Sequence, residues 1–156
     1  MTIIAYRDGV IAADSRCTYD AEGAGTQVFK CEKLFRKTVP TLDRTDQEEV
    51  ILATQGETFS GMVFVDWFGT GKDMPELLVH GEADFTVLIL RKDGLYEVDR
   101  WCRPIKVMEE FYAIGSGSKA AMGAMHMGAS AAKAVEIACR IDPYCAPPII
   151  KMRLKK

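Results

Sequence analysis

The chain contains 156 residues, 48% of them hydrophobic and 27% charged, and this size and balance predict one globular domain, 1–156, that needs no disulfide or metal to hold its core. The formal net charge of −2 argues against a general cationic surface for binding nucleic acid or an anionic membrane. No uncharged apolar run reaches the roughly 18 to 20 residues that cross a bilayer, and no secretory signal pattern opens the chain, so we expect a cytoplasmic protein.

Hairpin patterns dominate the first half of the chain. TIIAY, RDG and VIAAD predict two strands joined by an Asp-Gly turn, and FTVLILR, KDG and LYEVDRW predict a second hairpin of the same kind. Between the two hairpins, QVFKCEKLF and EEVILATQ are typical of another pair of strands. The polar, proline-containing segment TVPTLDRTDQ predicts an exposed loop between them.

Helices and a last strand are predicted elsewhere. ETFSGMVFVDWFG is apolar nearly all round, so its helix needs cover on more than one side, either within the domain or at a subunit interface. FYAIGSGS predicts a strand that enters a glycine-rich turn, followed by the helices KAAMGAMHMGA and AAKAVEIACRI, the second capped by Ser130. PPIIKMRL predicts a final strand. Together these patterns predict a layered α+β fold with mainly antiparallel sheets.

The cysteine pattern favours reduced thiols. The number of cysteines is odd and no CxxC pair occurs; the five are Cys17, Cys31, Cys102, Cys139 and Cys145. The two histidines, His80 and His126, have no second soft ligand nearby in the sequence, so we predict no metal site.

A threonine directly follows the initiator methionine. Removal of Met1 would leave Thr2 with a hydroxyl and a free α-amine, and such a residue can attack a carbonyl while its own amine removes the proton. The amine suits this role because its ordinary pKa is about 7.7 to 8.0. A threonine at the second position is common, however, so the hypothesis needs support from neighbouring groups.

Asp14 and Lys33 are candidates for that support. Asp14 ends the strand VIAAD, and the hairpin returns this end to the edge where Thr2 begins. Alternation along FKCEKLF places Lys33 inward with Cys31 and Phe35, where a buried ammonium needs a carboxylate partner, and Asp14 is the expected one. A nearby lysine cation would lower the pKa of the Thr2 amine. The alternative for Lys33 is an edge or loop lysine with its ammonium in water.

The segments MTIIAYRDGVIAADSR, KLF, ATQG, AIGSGS and DPYC resemble the motifs of the proteasome β-subunit family. In size the chain is most similar to the HslV-type peptidases and their phage-encoded relatives, and the order and spacing of the motifs match along essentially the whole chain. This resemblance implies an N-terminal-nucleophile (Ntn) hydrolase fold, an α+β four-layer αββα sandwich with two antiparallel sheets between helix layers.

The resemblance also implies catalytic roles. Thr2 is similar to the nucleophile, Asp14 to the aspartate that pairs with the active-site lysine, and Lys33 to that lysine, with Lys30 as the alternative. Those three residues would bring the reacting hydroxyl, its base and a cation together.

Three further positions complete the implied site. Ser116 resembles the serine that hydrogen-bonds the threonine amine, and Asp142 resembles the aspartate that supports this serine. By residue pattern alone, the GSGS turn around Ser116 is equally typical of a helix N-terminus or an anion-binding nest. Gly56, or Gln55 if the register slips by one, would present the backbone N–H of the oxyanion hole.

The chain departs from the family pattern at two points. The family often has two glycines where this chain has Gln55-Gly56, and a serine or threonine followed by glycines where it has Cys145-Ala146-Pro147-Pro148. Because a thiol is a weak hydrogen-bond donor, Cys145 is a poor substitute for a hydroxyl.

The function that follows is a threonine-type peptidase that uses no metal or organic cofactor. The resemblance implies a peptide or unfolded-protein substrate, a homo-oligomeric ring in which the helix around Trp67 is a candidate contact, and a separate ATP-driven unfoldase as a candidate partner. The chain itself has no ATPase motif, since GKD at Gly71 lacks the spacing of a P-loop.

Two alternatives stay open. A protein that kept Met1, with its pocket altered at Cys145, would be an inactive structural or interaction protein of the same fold, because function resides in the site. A small-molecule amidase would use the same nucleophile on a different substrate.

Overall fold

Two antiparallel sheets, stacked face to face, form the middle of the molecule. The computed structural model describes residues 2–21, 25–79 and 84–155, so Met1 and His80 lie outside the described residues. Within the described ranges no helix has both the length and the apolar character needed to cross a membrane.

The first sheet, sheet I, carries the start of the chain in its middle. In pairing order its strands are β10 (Phe111–Gly115), β1 (Ile3–Arg7), β2 (Val10–Ala13) and β11 (Ile150–Arg153). The predicted turn between β1 and β2 is present, and Asp8 and Gly9 have φ values of 52° and 71°, as tight hairpin turns require. Thr2 therefore lies immediately before an inner strand, at the edge to which β2 returns.

The second sheet, sheet II, has five antiparallel strands. In pairing order these are β5 (Leu34–Pro40), β6 (Gln47–Gly56), β7 (Phe85–Arg91), β8 (Gly94–Val98) and β9 (Ile105–Val107). The predicted hairpin at Asp93-Gly94 joins β7 to β8. A separate two-stranded ribbon consists of β3 (Arg16–Ala21) and β4 (Gly25–Lys30).

Four helices are described, and they lie on the outer faces of the sheets. Their bounds are α1 (Thr58–Trp67), α2 (Glu76–Val79), α3 (Ser118–His126) and α4 (Ala131–Ile141). Glu57 caps α1, because its carboxylate accepts hydrogen bonds from the backbone N–H groups of Phe59 and Ser60. Ser130 caps α4 as the sequence predicts, by accepting from the Lys133 N–H at 3.3 Å.

Alternation of apolar side chains along the strands produces the layers. In β1, Ile3 packs with α3 and α4, while the next residue, Ile4, lies between the sheets. In β6, Ile51 joins Ile4 between the sheets, while Val50 and Leu52 pack with α1. Both faces of these strands are therefore buried, and each fully buried side chain of this size contributes about 1.5 to 3 kcal/mol. The predicted four-layer αββα sandwich is confirmed.

Two strand predictions need correction. QVFKCEKLF is not one strand: β4 ends at Lys30, residues 31–33 have no strand structure, and β5 begins at Leu34. The start of TVPTLDRTDQ is not loop but strand, because β5 pairs with β6 as far as Pro40. Proline is tolerated there because β5 is an edge strand of sheet II. The sequence patterns also missed β3, β9 and the short α2.

The prediction that all five cysteines are reduced thiols is wrong for one pair. Cys17 and Cys31 form a disulfide, with their Cα atoms 6.0 Å apart, a separation that suits such a bond. The two segments meet because β3 and β4 fold back on each other, a pairing that spacing along the sequence did not reveal. Cys102, Cys139 and Cys145 are free thiols.

The aromatic residues of α1 differ sharply in burial, which gives a test of the outer layer. Phe64 is 1% exposed and its ring lies 5.5 Å from that of Phe68, whereas Phe59 is 68% exposed. We expect Phe64→Ala to lower the free energy of unfolding by about 3 to 5 kcal/mol, because removal of the ring leaves a cavity that the neighbouring side chains fill only in part. The matched control, Phe59→Ala, should change it by no more than about 0.5 kcal/mol. Equal losses in denaturant titrations would contradict this layer arrangement.

Candidate active site

Thr2 lies at the junction between sheet I and the GSGS turn. It is 4% exposed, and the next residue, Ile3, pairs with Gly115 at the end of β10. Gly115 has a φ of 100°, and a Cβ at this position would lie 2.0 Å from the Thr2 carbonyl oxygen. Only glycine fits this conformation and this approach, so β10 can pass close beside the chain start. The Ser116 hydroxyl then donates a hydrogen bond of 3.4 Å to the same carbonyl oxygen.

The Asp14 carboxylate lies beside the residue that follows Thr2. The Asp14 N–H donates to the Ile3 carbonyl at 3.1 Å, and the Ile3 N–H donates to Asp14 Oδ1 at 3.0 Å. The second oxygen, Oδ2, accepts the backbone N–H groups of Arg16 and Ala146, each at 3.1 Å. A carboxylate that is 1% exposed needs such partners to offset its lost hydration.

Lys33 completes a buried ion pair with Asp14. Its Nζ lies 2.7 Å from Asp14 Oδ1 and also donates to the Arg16 carbonyl at 2.7 Å. Burial lowers the pKa of Lys33 below its ordinary value, and the hydrogen bond and charge of Asp14 oppose that shift. The alternative, Lys30, ends the exposed strand β4. The lysine that the structure places against Asp14 is therefore Lys33.

Ser116, Asp142 and Cys145 form a second cluster near Thr2. Cys145, 3% exposed, has its Sγ 3.7 Å from Ser116 Oγ and donates to Asp142 Oδ2 at 3.5 Å. Asp142 directly follows the last residue of α4 and also accepts the Tyr144 N–H at 2.9 Å. Burial acts to raise the pKa of Asp142, but the hydrogen bonds that its carboxylate accepts, including the one from the Tyr144 N–H, outweigh it and hold this pKa below its ordinary value. The Cys145 thiol thus lies between the Ser116 hydroxyl and the Asp142 carboxylate.

Gly56 ends β6 next to the segment that carries Lys33. Its φ is 94°, and a Cβ there would lie 2.4 Å from the Asp84 carbonyl oxygen, so this position requires glycine. The Thr54 N–H donates to the Lys33 carbonyl at 2.9 Å, which ties this end of β6 to Lys33. Gly56, not Gln55, has the left-handed conformation. The role of either N–H in an oxyanion hole stays a prediction.

Some contacts of the site were not foreseen from the sequence. The Arg16 carbonyl and the Arg16 and Ala146 N–H groups are backbone groups, and every residue type carries them, so no residue pattern marks them. Cys145 was marked only as a departure from the family pattern. Among the described residues, no group of three or more His, Cys, Asp or Glu side chains could hold a metal ion.

Comparison with known proteins places the fold in a class. No protein-family model matches the chain, and no curated protein matches it. Among solved structures it is similar to Thiobacillus denitrificans BPH in complex with epoxomicin, with 20% identity, 99% of each chain covered and a TM-score of 0.62. Eukaryotic HslV from Trypanosoma brucei matches with 14% identity, 99% of each chain and a TM-score of 0.62.

A third similar structure is Anbu from Hyphomicrobium sp. strain MC1, with 16% identity and a TM-score of 0.64, covering 97% of this chain and 80% of that one. Such low identities show the fold alone. The chain has a proteasome-like Ntn-hydrolase fold.

The buried ion pair predicts a large difference between two lysine substitutions. Lys33→Met leaves the Asp14 carboxylate buried without its cation, so we expect the free energy of unfolding to fall by about 3 to 5 kcal/mol. Lys106 pairs with Asp93 at 3.4 Å on the surface, and Lys106→Met should cost no more than about 1 kcal/mol. Denaturant titration of both variants measures the difference; a Lys33→Met loss as small as the control would contradict the burial of the pair.

The Cys145 thiol gives a pH-dependent prediction. Burial raises its pKa to about 12, so only about one Cys145 thiol in a thousand would be ionised at pH 9. Alkylation requires the thiolate, so Cys145 should react slowly. We expect iodoacetamide at pH 9 to label partly exposed Cys102 faster than Cys145 in the native protein, and to label both after unfolding. Peptide mass spectrometry distinguishes the two sites. Native labelling of Cys145 at its unfolded rate would show that the thiol is open to solvent.

Proposed function

We propose that this protein is an N-terminal-nucleophile peptidase in which Thr2, freed by removal of Met1, attacks a peptide carbonyl. One observation carries the proposal: the buried pair of Asp14 and Lys33, with Nζ to Oδ1 at 2.7 Å, lies directly beside the first residues of sheet I. The Asp14 carboxylate accepts the Ile3 N–H, so it holds the residue next to the nucleophile as well as the lysine.

The proposed reaction uses two groups of one residue. The Thr2 amine accepts the hydroxyl proton as Oγ1 forms a bond to the carbonyl carbon, and it returns that proton to the leaving nitrogen as the peptide bond breaks. Water then attacks the resulting ester and restores the hydroxyl. A Lys33 cation nearby lowers the pKa of this amine, because a second positive charge beside it is unfavourable. No metal or organic cofactor enters these steps.

The second cluster would serve the Thr2 amine, and Gly56 would serve the oxyanion. Ser116 Oγ lies 3.4 Å from the Thr2 carbonyl oxygen, and the Asp142 carboxylate would orient the Ser116 hydroxyl through the Cys145 thiol. The Gly56 N–H would stabilise the tetrahedral oxyanion, a contribution that is typically about 3 to 4 kcal/mol for one such donor.

The resemblance to the proteasome β-subunit family and to HslV extends the proposal to assembly. We expect a homo-oligomeric ring that encloses the sites, a peptide or unfolded protein as substrate, and a separate ATP-driven unfoldase as partner. The similarity to BPH in complex with epoxomicin supports the choice of an epoxyketone as a probe.

The experiment compares the intact mass of untagged protein before and after incubation with an epoxyketone. We expect a mass that lacks Met1 and gains one adduct, mapped by peptide mass spectrometry to Thr2. Thr2→Ala should take no adduct and hydrolyse no peptide, whereas the control Thr38→Ala, an exposed threonine of β5, should behave as wild type.

Other outcomes separate the alternatives. A mass that retains Met1 and takes no adduct contradicts the proposal and favours an inactive interaction protein. An adduct on Thr2 without peptidase activity, but with hydrolysis of small amides, favours the amidase. Turnover that survives Thr2→Ala would overturn the mechanism.

A further inference from the structure

The Cys17–Cys31 disulfide joins the two chain segments that supply the ion pair of the candidate site. Cys17 is the second residue of β3 and lies three residues after Asp14 in the sequence. Cys31 follows the end of β4 and precedes Lys33 by two residues. The bond therefore connects the Asp14 segment to the Lys33 segment at the base of the β3–β4 ribbon.

The β3–β4 ribbon belongs to neither of the two main sheets. In the described part of the chain β3 and β4 pair only with each other, and all six residues of β4 are exposed. An isolated two-stranded hairpin is at best marginally stable in water. Without a covalent bond at its base, the ribbon would hold residues 31–33 weakly.

The hydrogen bonds of the ion pair lie next to this bond. The Arg16 N–H donates to Asp14 Oδ2 at 3.1 Å, and the Arg16 carbonyl accepts from Lys33 Nζ at 2.7 Å. The Cys31 N–H donates to the Ser15 carbonyl at 2.9 Å. Each of these contacts crosses from one segment to the other or orients Asp14 between them, so the disulfide adds a covalent bond between two segments that already share the ion pair.

We propose that the Cys17–Cys31 disulfide is a positioning element for the Asp14–Lys33 pair, and that its reduction by a dithiol lowers the reactivity of Thr2. The second part rests on the proposed function. Lys33 would keep its contacts with Asp14 and the Arg16 carbonyl, but without the covalent bond its segment would open more often, because local opening depends on all the contacts that hold a segment.

The reduction balances in electrons and protons. A thiolate of the dithiol attacks Sγ of Cys31, the more exposed of the two cysteines, and Cys17 leaves and takes up a proton. The second thiol of the reductant then attacks the mixed disulfide and releases the Cys31 thiol. Two electrons and two protons pass to the protein, and the dithiol leaves as a cyclic disulfide.

The test treats the folded protein with dithiothreitol and follows two residues. Alkylation and mass spectrometry first verify that two further thiols have appeared, at Cys17 and Cys31. Competitive acetylation with acetic anhydride then measures the reactivity of Lys33, which we expect to rise by about tenfold on reduction as the buried amine becomes accessible. The rate at which Thr2 forms an epoxyketone adduct should fall, and its pH profile should move to higher pH because the amine loses a fixed neighbouring cation.

Matched variants control for the reductant and for folding. The double variant Cys17→Ser, Cys31→Ser should resemble reduced wild type and should not respond to dithiothreitol. Cys102→Ser removes a free thiol in the loop between β8 and β9 and should respond to dithiothreitol as wild type does. Reoxidation of the wild type should restore both rates. The wild type is reduced only after it has folded. If the double variant failed to fold, the comparison of oxidised with reduced wild type would still test the proposal.

Three outcomes distinguish the claims. Release of two thiols with unchanged Lys33 acetylation and an unchanged pH profile would overturn the positioning role. If all five cysteines could be alkylated before dithiothreitol was added, the disulfide would be absent, and the positioning role would be overturned as well. Faster Lys33 acetylation on reduction, with no Thr2 adduct in either state, would uphold the positioning of the pair and refute the proposed function.

Discussion

The site depends on the hydrogen bonds and the ion pair that the buried Asp14 carboxylate makes. Its Oδ1 accepts the Ile3 N–H and the Lys33 ammonium, and its Oδ2 accepts the N–H groups of Arg16 and Ala146. These four donors come from the start of sheet I, the segment before β5, the start of β3 and the segment before β11. One buried anion thus joins four parts of the chain, one of them 132 residues away, and because an unpaired buried charge is costly, the arrangement is cooperative.

The parts predicted from the sequence are those that local chemistry determines. The Asp-Gly turn fixes the β1–β2 hairpin, and this turn alone places Asp14 beside the chain start. The order of strand and helix patterns predicted sheets covered by helices, and in the structure both faces of β1 and β6 are buried. The specific four-layer architecture came from the resemblance, since periodicity does not determine how sheets and helices stack.

The parts that were missed depend on long-range pairing. The break at residues 31–33, the pairing of β3 with β4 and the Cys17–Cys31 bond all require the chain to fold back over a distance that no local pattern records. The alternation of side chains along a strand predicted that Lys33 points inward. Lys33 is buried, but it lies in a segment without strand structure, where the Asp14 carboxylate and the Arg16 carbonyl hold its ammonium. Cys145 illustrates the same limit: its position between two oxygen-bearing groups follows from packing, not from its residue type.

We propose that the Asp14–Lys33 pair serves a nucleophile at Thr2. The most direct measurement is an experimental structure of the protein after reaction with an epoxyketone. We expect Met1 to be absent, the inhibitor to be bonded to Thr2 Oγ1, and Lys33 Nζ to remain in contact with Asp14 beside the new bond. A structure in which Met1 still precedes Thr2 and the inhibitor is absent or bonded elsewhere would contradict it.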